Sequence, residues 1–181
     1  MSVWQTAKKN IMNSEELKKL QSPIKSKFQK DPKTAIITLR AEGKIGEGIS
    51  CKIETGRTLV EAGLHPATGG DGMLACSGDM LLESLVACAG VTLSAVATSI
   101  GIKIKDGTVK AEGDLDFRGT LAVDKDVQVG FKRIRLIFEL NCNEDADKIQ
   151  TLLKLTKRYC IVYQTIISGT EVNTRIDKSK T

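Results

Sequence analysis

Aromatic residues are scarce, at 4% of the chain, and proteins that stack single-stranded bases depend on them. There is one histidine, His65, and none of the five cysteines forms a CxxC pair. Zinc and iron sites therefore have few ligands to draw on, and no metal is expected. The odd cysteine count at irregular spacing also argues against the disulfide framework of a secreted domain. No clean apolar run of bilayer length is present: Met80 to Ile100, the most apolar segment, is broken by Glu83, Ser84, Thr92, Ser94, Thr98 and Ser99. The opening MSVWQTAKKNIMNSEELKK lacks the apolar stretch of a secretory signal. These absences lead to the expectation of a soluble cytoplasmic protein with no membrane partner.

The composition that remains, 41% hydrophobic and 27% charged over 181 residues, suits one globular domain with an appended arm. The net charge of +5 is unevenly placed. Residues 1–33 carry eight lysines against Glu15, Glu16 and Asp31, and the remaining 19 basic and 19 acidic residues cancel. A nucleic-acid surface needs a basic stripe on a folded face, so no nucleic-acid partner is expected. Residues 1–33 read as a basic N-terminal arm and 34–181 as the domain.

Within the arm, Asn13 and Glu16 have capping-box spacing ahead of Leu17 and Leu20, predicting a short helix limited by Pro23. TAIITLRAE and ISCKIETG predict two strands joined through Gly43, Gly46 and Gly48, with Cys51 facing the core. HPATGGDGM predicts a loop, and without a following GK[ST] it is no phosphate cradle. His65 within it could serve as a base, though a lone loop histidine is more commonly structural. Asp79 to Ile100 predicts a helix capped by Ser77 or Asp79 and stopped by Gly101. Apolar or small residues lie on nearly all its faces, so a second subunit is expected to cover part of it.

Two alternating strands follow, Val109–Phe117 and Ile134–Leu140, the second carrying a register shift from Val127, Val129 and Phe131 that predicts a bulge at Lys132–Arg133. NEDADKIQTLLKLTKRY predicts a helix with acids first and bases last, and Thr170–Ile176 a last strand. The order is α+β with antiparallel sheet.

Cys88 falls about two and a half turns into its helix, too far for that helix's own dipole, so its activation requires a cation from elsewhere. Ser84 and Thr92 share its face as a narrow polar stripe, which is either a packing detail or a pocket floor. Cys160 follows Lys157 and Arg158, whose charge favours thiolate, while Ile161, Val162, Ile166 and Ile167 favour burial. Spacing alone leaves both readings open for each thiol, a redox centre or a small buried hydrophobe.

HPATGGDGMLACSGDMLLESLVACAGVTLSAVA resembles the first cysteine helix of the OsmC/Ohr family, and RYCIVYQTI resembles its second cysteine motif at a helix start. The resemblance spans about residues 34–176. It implies an intertwined α+β homodimer with central, buried cysteine-bearing helices and reduction of organic hydroperoxides without metal, flavin or other cofactor. Cys88 would be the peroxidatic thiol, Cys160 the resolving thiol, and a dithiol such as a dihydrolipoyl protein the reductant. Arg40, or else Arg57, would supply the cation that stabilises the thiolate. Asp79 takes the place closest to the family's glutamate, yet nine residues before Cys88 it points to the opposite helix face, so it would act from the helix cap or across a dimer. Ile161 stands where the family usually has proline. Cys51, Cys76 and Cys142 match no family motif and read as structural. The rival reading is a silent homodimer of the same fold that binds an apolar small molecule at its interface.

Overall fold

Asn13 and Glu16 close a capping box, the Glu16 amide donating to the Asn13 side chain at 2.9 Å and the Asn13 amide to the Glu16 carboxylate at 3.0 Å. From it runs α1, Ser14–Lys30, with Glu15 and Glu16 in its first turn and Lys27 and Lys30 in its last. The computed structural model describes residues 13–36, 38, 43–45, 50–55 and 58–177.

Pro23 does not limit α1, which continues a further seven residues to Lys30. A proline removes one backbone donor, and the turns on either side keep theirs. Thr34 and Ala35 lie in a 3-10 turn, Pro32–Ala35, rather than in the strand predicted from TAIITLRAE; most of that segment lies outside the described residues.

One sheet has the order β1 (Gly43–Ile45), β2 (Ser50–Thr55), β3 (Thr58–Gly63), β4 (Ala75–Cys76). The first three are antiparallel and β4 runs parallel to β3. Gly43 thus belongs to a strand rather than to the predicted turn, while β3 and β4 had no clear alternation or length to reveal them. The backbone of Cys51 pairs with Ile45 and Ala62.

After the loop comes α2, Ser77–Ser99. Cys76 is its N-cap, without a side-chain cap hydrogen bond, so neither Ser77 nor Asp79 fills that role. Gly101 follows the C-cap at φ +76, the left-handed conformation expected of it. By length and composition α2 could cross a membrane, with mean hydropathy 1.8 over its most apolar window; its interrupting hydroxyl groups are too weakly polar to lower that mean as the sequence reading required.

Its faces differ, however. Leu85, Ala89, Leu93 and Ala97, four apart, form one buried line. That line packs on a second sheet of β5 (Asp106–Leu115) and β6 (Phe131–Asn141), and on α4 (Ala146–Tyr159) and α5 (Ile161–Ser168).

In β5 the side chains of Val109, Ala111 and Leu115 turn inward while Lys110, Glu112 and Asp114 face out. The outward residues meet partners across the ribbon, Lys110 with Glu139 at 2.6 Å and Glu112 with Arg135 at 2.9 Å. Exposed pairs of this kind select register more than they stabilise. Asp114 pairs with Arg133 and Leu115 with Phe131, so Lys132 is passed over, the bulge expected there. Phe117 and Val127 fall outside the strands: Phe117–Thr120 is a single turn, α3, and Val129 lies in the following loop, 64% exposed. Residues 170–177 form no strand among the described residues, and Val172 and Ile176 are exposed.

Candidate active site

Two packed groups meet on α2. Leu93 and Ala97 join Ile102 and Leu152 at its C-terminal half. Leu85 and Ala89 join Cys160 at its N-terminal half, with Cys88, Val109, Leu136, Val162 and Ile166 around them. Cys160 is 1% exposed.

The position of Cys160 follows from two helices that share it. It ends α4, its amide donating to the Thr156 carbonyl at 2.9 Å, and it is the N-cap of α5 with φ −75 and ψ 110. Its sulfur accepts from the Tyr163 amide at 3.5 Å. The Gln164 side chain donates to the Lys157 carbonyl at 2.8 Å and ties the two helices across the junction.

This junction aims the start of α5 at α2. The first amides of a helix have no partner within it and carry the positive end of its dipole. Here the Val162 and Ile161 amides, with the Cys160 thiol and the Thr92 hydroxyl, are the groups around Cys88 that favour its thiolate. Burial pushes the Cys88 thiol up, but these donors outweigh it and hold its pKa below the ordinary 9.0. Burial pushes Cys160 above 9.0, the Tyr163 amide only partly opposing it and Cys88 adding to the rise. The pair is therefore one thiol disposed to ionise and one disposed to stay protonated, packed in one cluster.

One sequence expectation changes. The charge of Lys157 and Arg158 does not favour a Cys160 thiolate, because both side chains are exposed and burial dominates. The lowering at Cys88 comes from amides at the start of α5, a source distant from it in sequence. The signal was present: a cysteine directly before a helix start places that helix's free amides beside whatever packs on the cysteine.

Asp79 is exposed in the first turn of α2 and is not brought to the pair. Arg40 and Arg57 lie outside the described residues. His65 caps the 3-10 turn Pro66–Thr68, its Nδ1 accepting from the Ala67 amide at 3.0 Å, and its ring stacks on Phe117 with centroids 5.0 Å apart. That is a structural assignment. Cys76 and Cys142 are half-buried free thiols. Among the described residues no three His, Cys, Asp or Glu side chains converge as metal ligands.

A cleft of about 990 Å³ lies between the start of α1, the C-terminal half of α2 and the start of β5. Leu93, Ala97, Ile102 and Leu140 give it apolar walls, and neither Cys88 nor Cys160 lines it.

Among curated proteins, none matches the chain. Among solved structures, an OsmC-like protein from Mycoplasma pneumoniae is similar with TM-score 0.61 at 17% identity, covering 72% of this chain and 88% of that one. An organic hydroperoxide resistance protein OsmC from Legionella pneumophila gives 0.57 at 17% identity, with 72% and 90% covered. An organic hydroperoxide resistance protein from Elizabethkingia anophelis gives 0.54 at 19% identity, with 72% and 89% covered. At these identities the likeness is one of fold. Residues 70–175, which contain both cysteines and the helices that join them, match the family model described as OsmC-like protein, and the chain belongs to the OsmC family.

Proposed function

We propose that this protein is a thiol peroxidase that reduces organic hydroperoxides to alcohols, with Cys88 as the peroxidatic and Cys160 as the resolving thiol. The observation that carries the reading is the packing of Cys88 with the buried Cys160 beside the start of α5, where the surroundings lower the pKa of Cys88 and raise that of Cys160. The Cys88 thiolate attacks the distal peroxide oxygen, the O–O bond breaks, and the alkoxide leaves with a proton as alcohol. Cys88 is then a sulfenic acid. The Cys160 thiol attacks it, a disulfide forms and water leaves. A dithiol, with a dihydrolipoyl group as one candidate, returns both thiols and is itself oxidised.

In this reading residues 34–181 form the working unit, 1–33 an appended arm, and the protein acts in the cytoplasm, where thiols stay reduced. No cofactor takes part. Arg40 is the proposed cation at the peroxide, and Asp79 would act only from the α2 cap or across a dimer. The working form is a homodimer, since Val91 is 73% exposed one turn from Cys88 and Leu81 is 41% exposed on the same helix. A second reading, a silent homodimer that binds an apolar small molecule, finds support in the 990 Å³ cleft.

The test is turnover of cumene hydroperoxide against hydrogen peroxide with several dithiols. Preference for the bulky substrate, loss of turnover in Cys88→Ser and a Cys88–Cys160 disulfide after one equivalent of peroxide are expected. In Cys160→Ser, excess peroxide should carry Cys88 to sulfinic and sulfonic acid. Turnover surviving in Cys88→Ser, or a disulfide that links Cys88 to Cys76, would overturn the assignment. Inertness toward every hydroperoxide, with an apolar ligand bound, would establish the second reading.

A further inference from the structure

The helix α1 has an apolar face that is not fully covered among the described residues. On a helix of about 3.6 residues per turn, Leu17, Leu20, Ile24 and Phe28 share one side. Leu17 and Phe28 are half-buried, whereas Leu20 and Ile24 between them are 57% and 50% exposed. No residue of α1 is buried.

The charges around that face have a definite order. Lys18 and Lys25 fall along one margin of the apolar side and Lys27 along the other, and all three are exposed. The acids of α1, Glu15 and Glu16, are confined to its first turn, where they complete the cap; from Leu17 to Lys30 there is none. The entire net charge of the protein resides in residues 1–33, and the remainder is neutral.

We propose that α1 is an interfacial helix that lies along an anionic phospholipid surface, Leu20 and Ile24 entering the acyl boundary and Lys18, Lys25 and Lys27 reaching the headgroups from its margins. Lysine on a long apolar stem suits that position, since the stem stays with the apolar face while the ammonium returns to the phosphates. Charge complementarity selects a lipid surface over a second copy of this chain: a neutral body offers a lysine-flanked stripe no excess of acid, whereas an anionic leaflet does. Such a helix rests in the interface and does not cross it. The proposal is independent of the peroxidase reading.

Flotation of the purified full-length protein with vesicles tests it. Phosphatidylcholine vesicles containing about a third phosphatidylglycerol should carry the protein upward at low salt, and phosphatidylcholine alone should not. Lys18→Gln/Lys25→Gln should lower the partition coefficient by about tenfold or more. Leu20→Gln/Ile24→Gln should abolish flotation with far-UV circular dichroism and sedimentation coefficient unchanged. No binding to anionic vesicles, equal binding to neutral ones, or binding indifferent to both double variants overturns the proposal. A lower sedimentation coefficient in Leu20→Gln/Ile24→Gln also overturns it, because the stripe is then covered by a second copy.

Discussion

Cys88 sits where burial alone would raise its pKa, and four donors reverse the outcome: the Val162 amide, the Cys160 thiol, the Ile161 amide and the Thr92 hydroxyl. The sign sets the pH profile. A thiol with pKa below 9.0 gains thiolate before the ordinary range, so alkylation of Cys88 by iodoacetamide should rise with pH and level off below that value, while Cys160 stays unreactive beyond it. Peptide-resolved mass spectrometry reads the two sites separately. Thr92→Val keeps the shape and removes the hydroxyl. It should move the Cys88 profile to higher pH and slow its reaction at neutral pH about fivefold, the factor that one hydrogen bond of about 1 kcal/mol supplies. An unmoved profile would show that Thr92 does not act on the sulfur.

The start of α5 is an element built for this contact, and Ile161 makes a specific difference to it. Proline at the first helical position preserves a helix but has no amide to donate. Cys160 before it already holds the extended backbone that a following proline requires, φ −75 and ψ 110. Ile161→Pro should therefore fold with unchanged far-UV circular dichroism, raise the pKa of Cys88, and cut its neutral-pH alkylation rate about fivefold. A rate equal to wild type would show that the Ile161 amide contributes nothing. On the other side of the pair, Leu85 is 2% exposed and packs with Ala89 and Cys160. Leu85→Ala leaves a cavity beneath the junction and should cost about 2–5 kcal/mol in urea unfolding. The yield of the Cys88–Cys160 disulfide should fall with it.

At the scale of the whole molecule, the open question is what covers the outer face of α2. Leu81, Ser84, Ala87, Val91 and Ser94 lie exposed there. Ser84 and Ser94 direct their hydroxyls back to the Met80 and Gly90 carbonyls at 2.9 and 3.0 Å, so even the polar members offer a closed surface. Small, apolar and internally satisfied, this face suits close packing against a second copy. Val91→Glu places a charge at its middle and should convert a dimer at micromolar concentration into monomer, seen by sedimentation velocity, with turnover reduced at least about tenfold. Iodoacetamide reactivity of Cys88 should persist, because its donors come from its own chain. A wild-type protein that is both monomeric and fully active would contradict the homodimer.

Local rules written in the sequence determined the capping box at Asn13, the stop of α2 at Gly101, the alternation of β5 and the bulge at Lys132, since each depends on residues a few positions apart. The motifs around Cys88 and Cys160 identified the family. Short strands such as β4 escaped, because two residues carry no period and form only where β3 supplies a partner. The continuation of α1 past Pro23 likewise depends on the turns either side. Only the tertiary structure decided which thiol its surroundings lower and which they raise. Cys160 has the nearer lysine and arginine in sequence, yet burial raises it, whereas Cys88, 72 positions earlier, receives the amides of α5. A pKa follows from what surrounds an atom in space, and packing α5 on α2 brought those donors to Cys88.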